Sequence, residues 1–258
     1  MTALFTIDKT LCVNCGACVR TCPMSLFYKS ENGSVAVRDG RCLDCFHCTA
    51  VCPTEALTHD RLGKDTCLPL PADGDSLLAR LQRRRSIRHF KPETPDRAVI
   101  QAALDGAEYG PSAKNDRAFQ WTVILGRDAV ERLRGIILDW AAVTPGYRHL
   151  ARLARQGADP LTCGAPCLIL VHCPDSSKLP AVDSVIAATL AEQLLNDAGL
   201  GTCWGGYLHR AADLCLPFRE AIALPEGHQV HAVLMAGYSD EVYRRIPVRP
   251  GAKVNWLE

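Results

Sequence analysis

The sequence predicts an α+β protein made of two unlike domains, and three observations support this prediction. Residues 1–60 contain a cysteine-rich motif that occurs twice, which indicates two copies of one structural unit. Residues 76–258 mix helical and strand patterns without the regular alternation that βαβ units require. Between them, residues 61–75 carry two prolines and two glycines with little periodicity, as expected for a linker.

The composition is that of an ordinary globular protein, with 48% hydrophobic and 22% charged residues. A net charge of +1 gives no reason to expect nucleic acid or an anionic membrane as a partner. The sequence shows neither a secretion leader nor an apolar stretch long enough to cross a membrane, so we expect a cytoplasmic protein. In that compartment, fourteen cysteines indicate metal binding or redox chemistry and not a disulfide scaffold.

The cysteine motif is CVNCGACVRTCP at residues 12–23, and it recurs thirty residues later as CLDCFHCTAVCP at residues 42–53. Structural zinc sites take four ligands, usually as two separated pairs, and this spacing does not provide such pairs. Three cysteines at short intervals, followed by a fourth and a proline, are typical of a [4Fe–4S] cluster whose neighbour receives the fourth thiolate. The expected ligand sets are Cys12, Cys15, Cys18 and Cys52 for one cluster, and Cys42, Cys45, Cys48 and Cys22 for the other.

Residues 1–60 resemble a bacterial two-cluster ferredoxin, with zinc and disulfides as disfavoured alternatives. Because each half supplies a ligand to the cluster of the other half, neither half is expected to fold alone. Folding and metal binding then form one process, so the metal-free chain should lack order in this region. His47 lies inside the second motif, but four thiolates already complete the site, and we expect it to be a polar neighbour.

The second domain is predicted to begin with a short helix capped by Ser76. The sequence Thr94-Pro95-Asp96 predicts another helix start, with Thr94 as the cap and Pro95 at the first helical position, and an apolar stripe at helical spacing follows it. The remaining patterns predict helices at 129–140 and 184–198, and strands at 119–125, 167–172 and 230–238.

The basic run RRRSIRHF places Arg84, Ser86 and Arg88 at alternating positions, where two guanidinium groups and a hydroxyl can bind one phosphate. A solvated basic surface is the alternative, since the sequence has no glycine-rich dinucleotide fingerprint. Three further segments bear on this choice: GPSAKNDRAFQWTVI at 110–124, AGLGTCWGGY at 198–207 and AGYSDEVYRRIPVRP at 236–250. In this order and at these separations, the four segments resemble the nitroreductase family of FMN enzymes over residues 76–258.

The resemblance implies which residues contact FMN, and it assigns no catalytic side chain. The expected set is Arg84, Arg85, Ser86, Arg88, Arg244 and Arg245 for the phosphate, Pro111, Ser112, Ala113 and Asn115 for the flavin ring and ribityl chain, and Cys203, Trp204, Gly205 and Gly206 beside flavin N5. The Pro-Ser-x-x-Asn loop is expected to serve the flavin of the partner subunit in a homodimer. After that loop this chain has Asp-Arg-Ala-Phe, where the family usually has Gln-Pro-Trp.

Taken together, the two resemblances imply an FMN-dependent oxidoreductase. Iron–sulfur clusters move single electrons, and FMN collects them singly and delivers a pair. We therefore expect electrons to enter at the clusters, pass to FMN and reduce a small organic acceptor of the nitro, quinone or enone type. The alternative is an electron carrier that serves a protein partner. NADH, NADPH and a reduced ferredoxin are the candidate donors, and the sequence does not choose among them.

Overall fold

The computed structural model describes residues 4–70 and 76–258, which belong to two compact units. The first unit comprises Met1–Arg83 together with Glu241–Glu258, and the second comprises Arg84–Asp240. The chain therefore does not divide at the expected linker, because its C-terminal end returns to the first unit. Residues 71–75 of that linker lie outside the described residues.

The first unit repeats its secondary structure with the same thirty-residue offset as its cysteines. Each repeat contributes a strand, a short helix and a second strand in that order. The elements are β1 Phe5–Ile7, α1 Ala17–Thr21 and β2 Phe27–Lys29 in the first repeat, and β3 Val35–Val37, α2 His47–Val51 and β4 Leu57–His59 in the second.

The strands of the two repeats are exchanged. Strand β1 pairs antiparallel with β4, with Phe5 opposite His59, while β2 pairs with β3, with Phe27 opposite Val37. Each two-stranded sheet thus contains one strand from each repeat, and one hydrophobic core lies between them. A single two-stranded sheet is marginal in water, so neither repeat has a sheet of its own to fold around.

The backbone turns also repeat. The left-handed residues Asn14 and Ser25 of the first repeat correspond to Asp44 and Glu55 of the second. Helix α1 follows Gly16 with φ of 76°, and α2 follows Phe46 with φ of 54°. A bulky residue at positive φ is strained, whereas glycine is not. The same turn is therefore built around glycine in the first repeat and around a large aromatic residue in the second.

The C-terminal residues Glu241–Glu258, here called the strap, complete the first unit. Strand β5, Cys67–Pro69, pairs antiparallel with β10, Arg245–Pro247. Residues 67–69, expected to be linker, are therefore a strand, because pairing with the strap satisfies their backbone groups. The strap was expected to belong to the second domain, and its pairing places it in the first unit.

Helix α3, Leu77–Arg83, lies at the end of the first unit. The Ser76 hydroxyl accepts a hydrogen bond from Ala79 N at 3.2 Å, which confirms the predicted cap.

The second unit is built on a four-stranded antiparallel sheet in the order β6-β7-β9-β8. Its strands are β6 Gln120–Leu125, β7 Cys167–Pro174, β8 Gly201–Trp204 and β9 His228–Gly237. The mixture of helices with an antiparallel sheet confirms the α+β prediction. Among the described residues, no helix is both long and apolar enough to cross a membrane.

Six helices accompany this sheet. They are α4 Arg97–Ala107, α5 Arg127–Val143, α6 Arg148–Arg155, α7 Pro180–Asp197, α8 Gly206–Leu214 and α9 Leu216–Ile222. Helix α7 packs on the sheet and on α4, and the shared core includes Leu104, Ile169, Leu195 and Leu234. The predicted start of α4 was too early: Asp96, not Thr94, is the cap, since its carboxylate accepts a hydrogen bond from Ala98 N at 2.8 Å.

Candidate functional site

The first unit contains two small cavities lined by cysteines. One cavity is lined by Cys12, Cys15, Cys18 and Cys52, and we call it the Cys52 site. The other is lined by Cys22, Cys42, Cys45 and Cys48, and we call it the Cys22 site. Each site therefore takes three cysteines from one repeat and one from the other, and these are the two sets of four that the spacing predicts.

The short helices explain this exchange. Helix α1 starts after the left-handed Gly16, carries Cys18 towards the Cys52 site and ends at Cys22. Cys22 lines the Cys22 site. Likewise, Cys48 in α2 lines the Cys22 site, and Cys52, which follows α2, lines the Cys52 site. One five-residue helix in each repeat thus separates the third cysteine from the fourth and points them at different cavities.

The chemistry of the cavities fits a cluster that binds thiolates. Burial, with smaller contributions from the nearby Cys52 and Cys15 thiols, raises the pKa of Cys18 to about 12. Burial likewise raises the pKa of Cys48 well above its usual value, with Cys45 and Cys22 adding to the effect. Packing several thiolates together in a desolvated cavity is unfavourable unless a positive metal centre compensates their charge. An iron–sulfur cluster supplies that charge.

Backbone amides face the sulfur atoms as well. Leu26 N donates to Cys22 Sγ, and Asp44 N donates to Cys42 Sγ, both at 3.4 Å. Hydrogen bonds to ligand sulfurs are among the features that tune iron–sulfur sites. His47 lines the Cys22 site, and its Nδ1 lies 3.3 Å from the Tyr243 hydroxyl.

The strap residues Arg244 and Arg245 lie against the second repeat. Arg245 Nη2 donates to the carbonyl oxygens of Thr49 at 2.6 Å and Cys52 at 2.7 Å, and Nη1 lies 2.6 Å from Glu55. Arg244 N donates to the Ala50 carbonyl at 3.0 Å. The Arg245 guanidinium is thus engaged by carbonyls at the end of α2, and the expected contact of Arg244 and Arg245 with the FMN phosphate stays a prediction. The adjacent arginine pair in the sequence gave no signal of this role.

In the second unit, the predicted phosphate segment lies along strand β8. Ile87 N donates to the Thr202 carbonyl at 2.8 Å, and Ser86 forms a parallel bridge with the same residue. Arg88 Nη1 donates to the Ser86 carbonyl at 3.2 Å, and Arg85 is largely buried. The structure thus brings this segment beside Cys203 and Trp204.

A buried carboxylate on α7 organises this region. Glu192 pairs with Arg84 at 3.4 Å and accepts hydrogen bonds from Thr202 Oγ1 at 3.1 Å and Trp204 Nε1 at 3.2 Å. Sequence reasoning did not assign Glu192 a role. A charged residue inside an otherwise apolar helix was the available signal, since a buried charge requires partners. Burial raises the pKa of the Cys203 thiol, which agrees with a small packing residue.

The Pro111–Asn115 loop lies elsewhere on α7. Ala113 N donates to both carboxylate oxygens of Asp183 at 3.1 Å, and Ser112 Oγ accepts a hydrogen bond from Arg117 N at 3.0 Å. Asp183 precedes Glu192 by nine residues, which is about 14 Å along a helix. Within one chain, the loop and the basic segment are therefore attached to α7 at separate points.

The two glycines at the start of α8 differ in their surroundings. Gly205 N donates to the Val233 carbonyl at 2.8 Å, and a Cβ there would lie 2.9 Å from a Leu208 methyl group. A Cβ on Gly206 would meet nothing within 4 Å. Trp204 beside them is 38% exposed. Packing explains Gly205, whereas Gly206, the first residue of α8, is exposed and has open space beside it.

Comparison with known proteins agrees with these two units. The nitroreductase family profile matches residues 81–238. The chain belongs to the nitroreductase family. A profile described as a 4Fe-4S dicluster domain matches residues 4–53. This nitroreductase thus carries an iron–sulfur domain ahead of its family domain.

The relatives divide in the same way. A ferredoxin of Pyrobaculum islandicum is 42% identical over 52 residues, 20% of this chain, and the nitroreductase spans about half (49%) of that ferredoxin. A putative NADH dehydrogenase/NAD(P)H nitroreductase of Methanothermobacter thermautotrophicus is 25% identical over 169 residues, covering 64% of this chain and 78% of the relative. The fold is also similar to that of a Bacteroides fragilis nitroreductase solved with bound FMN, with a TM-score of 0.60, 20% identity and coverage of 71% and 100% of the two chains.

Proposed function

We propose that this nitroreductase is an iron–sulfur flavoprotein that passes electrons from two [4Fe–4S] clusters to FMN and on to a small organic acceptor. The observation that carries this proposal is the grouping of eight cysteines into two four-thiol cavities in a nitroreductase-family chain. Clusters supply single electrons, and FMN delivers them in pairs to an organic substrate.

In this proposal the Cys52 site and the Cys22 site each hold one cluster. Four thiol side chains line each cavity, which meets the ligand demand of a [4Fe–4S] cluster. The exchanged strands and exchanged cysteines support one another, because closing either site requires both repeats. The match to a dicluster domain over residues 4–53 supports the same number of clusters.

The FMN phosphate is assigned to the segment from Arg84 to Arg88. Glu192 holds Arg84 through one nitrogen, which orients the guanidinium and leaves its other donors available. Ser86 and Arg88 follow at alternating positions beside strand β8. The open amide end of α8 at Gly206 suits the approach of a flavin ring, and the Bacteroides fragilis relative of the same fold binds FMN.

A homodimer is part of the proposal. The Pro111–Asn115 loop is fixed to α7 at Asp183, about 14 Å along the helix from Glu192 and the basic segment. This separation supports the assignment of the loop to the FMN of the partner subunit.

The test is anaerobic spectroscopy of the purified holoprotein with bound iron and flavin. NADH, NADPH and a reduced ferredoxin are added separately, and bleaching of the flavin absorbance identifies the electron donor. A nitroaromatic, a quinone and an enone are then offered as acceptors. We expect reduced ferredoxin to bleach the flavin and at least one acceptor to reoxidise it. Bleaching without turnover of any acceptor would instead identify an electron carrier.

A cysteine variant tests the proposed route. Cys52→Ser should impair flavin reduction by ferredoxin more than direct reduction by dithionite. Cys67→Ser is the matched control, since Cys67 lies in the same unit but lines neither cluster cavity. Equal loss of both reactions in Cys52→Ser would contradict the route, and full iron content with no FMN binding would contradict the function itself.

A further inference from the structure

The two cysteine sites differ in charge although their backbones repeat, and the first difference is at positions 14 and 44. Asn14 accepts hydrogen bonds from Cys12 Sγ at 3.6 Å and from Val35 N at 3.0 Å. At the equivalent position Asp44 lies beside Cys42, and donor atoms of Cys42, Asp44 and His59 all lie within 4.8 Å of one another. A neutral amide therefore lies beside Cys12 of the Cys52 site, where a carboxylate lies beside Cys42 of the Cys22 site.

The second difference is at positions 29 and 59. The end of the Lys29 side chain lies over Gly16, with Nζ 3.7 Å from where a Cβ would stand. Gly16 lines the Cys52 site. The equivalent residue is His59, which is buried against the rings of Phe5 and Phe46, so no lysine cation lies at this position beside the Cys22 site.

The third difference is the strap cation Arg245, whose side chain binds the second repeat. Arg245 binds the carbonyl of Cys52, and both residues line one further small cavity. Its Nε is buried without a hydrogen-bond partner among the described residues, so that side of the cation is desolvated. The strap rests on the second repeat, yet its charge acts on the Cys52 site, because Cys52 is the exchanged cysteine.

The counter-charges are more exposed than the groups they pair with. Arg245 pairs with Glu55, and its side chain is 14% exposed against 69% for Glu55. Asp44 pairs with Arg61, and its side chain is 45% exposed against 62% for Arg61. Water and salt screen an exposed charge more than a buried one. Two further basic residues next to ligands of the Cys22 site, Arg20 and Arg41, are exposed as well. The buried cation at Cys52 is therefore the strongest single influence.

We propose that these charges make the two sites unequal, giving the Cys52 site the higher reduction potential and making Arg245 the residue that sets it. This proposal rests on the function proposed above. Adding one electron to a cluster adds negative charge, which a nearby cation favours and a nearby carboxylate opposes. All three differences act in the same direction, so of the two clusters the one in the Cys52 site is reduced first.

The test is an anaerobic redox titration of the holoprotein followed by electron paramagnetic resonance. Dithionite, which is oxidised to sulfite, supplies one electron to each oxidised cluster. We expect two separate midpoint potentials in the unaltered protein. Arg245→Gln should lower the higher one by about 59 mV, a tenfold change in the equilibrium constant for one-electron reduction. Arg245→Lys keeps the charge and should restore most of that change.

Reciprocal variants at the repeated position provide an independent reading. Asp44→Asn should raise the lower potential, and Asn14→Asp should lower the higher one, so that each narrows the gap. These two variants carry the test if Arg245→Gln does not assemble its clusters. Arg249→Gln is the matched control, since it removes one positive charge from an exposed part of the strap, and it should move neither potential.

The outcomes separate this inference from the proposed function. Iron content well below about eight atoms per chain would contradict the two-cluster function and the inference with it. Full iron content with a single shared potential would overturn the inference alone. The inference would also be overturned if Arg245→Gln moved the lower of the two midpoint potentials, or if Arg249→Gln changed the higher one as much as Arg245→Gln does.

Discussion

The two repeats of the first unit share a backbone and differ in what holds them in place. Their strands, helices and left-handed turns recur with one offset, and they exchange both strands and cysteines. The strap binds the second repeat through Arg244, Arg245 and the Tyr243 hydroxyl, and the same hydroxyl lies 3.2 Å from Thr21 Oγ1 of the first repeat. In the first repeat the Cys22 carbonyl, which corresponds to that of Cys52, accepts a hydrogen bond from Ser25 N.

This difference shows how a symmetric unit becomes asymmetric without losing its fold. The exchange fixes the topology, because neither sheet and neither cysteine site can form from one repeat. The strap then adds the Arg245 cation to the second repeat. The backbone thus follows from the repeat, while the strongest of the charges that we propose to make the two sites unequal lies on a residue almost two hundred positions away in the sequence.

The largest expected effect is on both repeats at once. Removing iron with a chelator should leave residues 4–59 open to proteolysis across both repeats, because the exchanged ligands couple folding to metal binding. Peptides from residues 84–240 should stay protected and serve as the internal control. Limited proteolysis followed by mass spectrometry measures both regions in one sample. If one repeat stayed protected from proteolysis while the other was cleaved, the exchanged strands and cysteines would not couple the folding of the two repeats.

A smaller effect should fall on one site. Ending the chain after Asp240 removes strand β10 and every strap contact with α2. We expect the Cys52 site to lose its cluster while the Cys22 site keeps its own, so that iron falls from about eight to about four atoms per chain. Iron and sulfide analysis measures this loss.

Ending the chain after Pro250 is the control for that truncation. It removes only residues 251–258, which are exposed and form no helix or strand. Iron content should then stay unchanged. If the chain that ends after Asp240 also keeps all of its iron, the strap does not support the Cys52 site.

The sequence was informative where structure depends on local pattern. The thirty-residue repeat, the cap at Ser76 and the apolar stripe of α4 were all visible in it, and so was the α+β class. Profile and fold comparisons confirm both family resemblances. The assignment of individual FMN contacts stays a prediction.

The strap was not predictable, because β5 and β10 have three residues each and form only through pairing with one another. No local pattern announces a strand of that length. Glu192 was missed for a similar reason, since its partners Arg84 and Trp204 come from distant segments. The boundary between the two units was predicted from the composition of the linker. That composition carries no information about whether the C-terminal segment packs with the first unit.

The smallest effect concerns the one turn that the repeats build differently. Gly16→Ala should destabilise the first unit by about 1–2 kcal/mol, since a Cβ is unfavourable at a left-handed residue. The added atom would lie 3.0 Å from the flexible end of Lys29, which can move, so strain and not collision is the main cost. The rate at which denaturant bleaches the cluster absorbance under argon reports the loss.

Phe46 explains why such strain is tolerated in the second repeat. Its ring is buried and packs edge-on against His59 at 5.3 Å, and this burial offsets an unfavourable backbone. No comparable pocket is available to a methyl group at position 16. Gly16→Asn is therefore the informative control, because asparagine accepts the left-handed conformation better than alanine does and should cost less. Equal bleaching rates for both variants would mean that backbone conformation does not distinguish the two turns, and that the difference between the repeats lies in their side-chain packing alone.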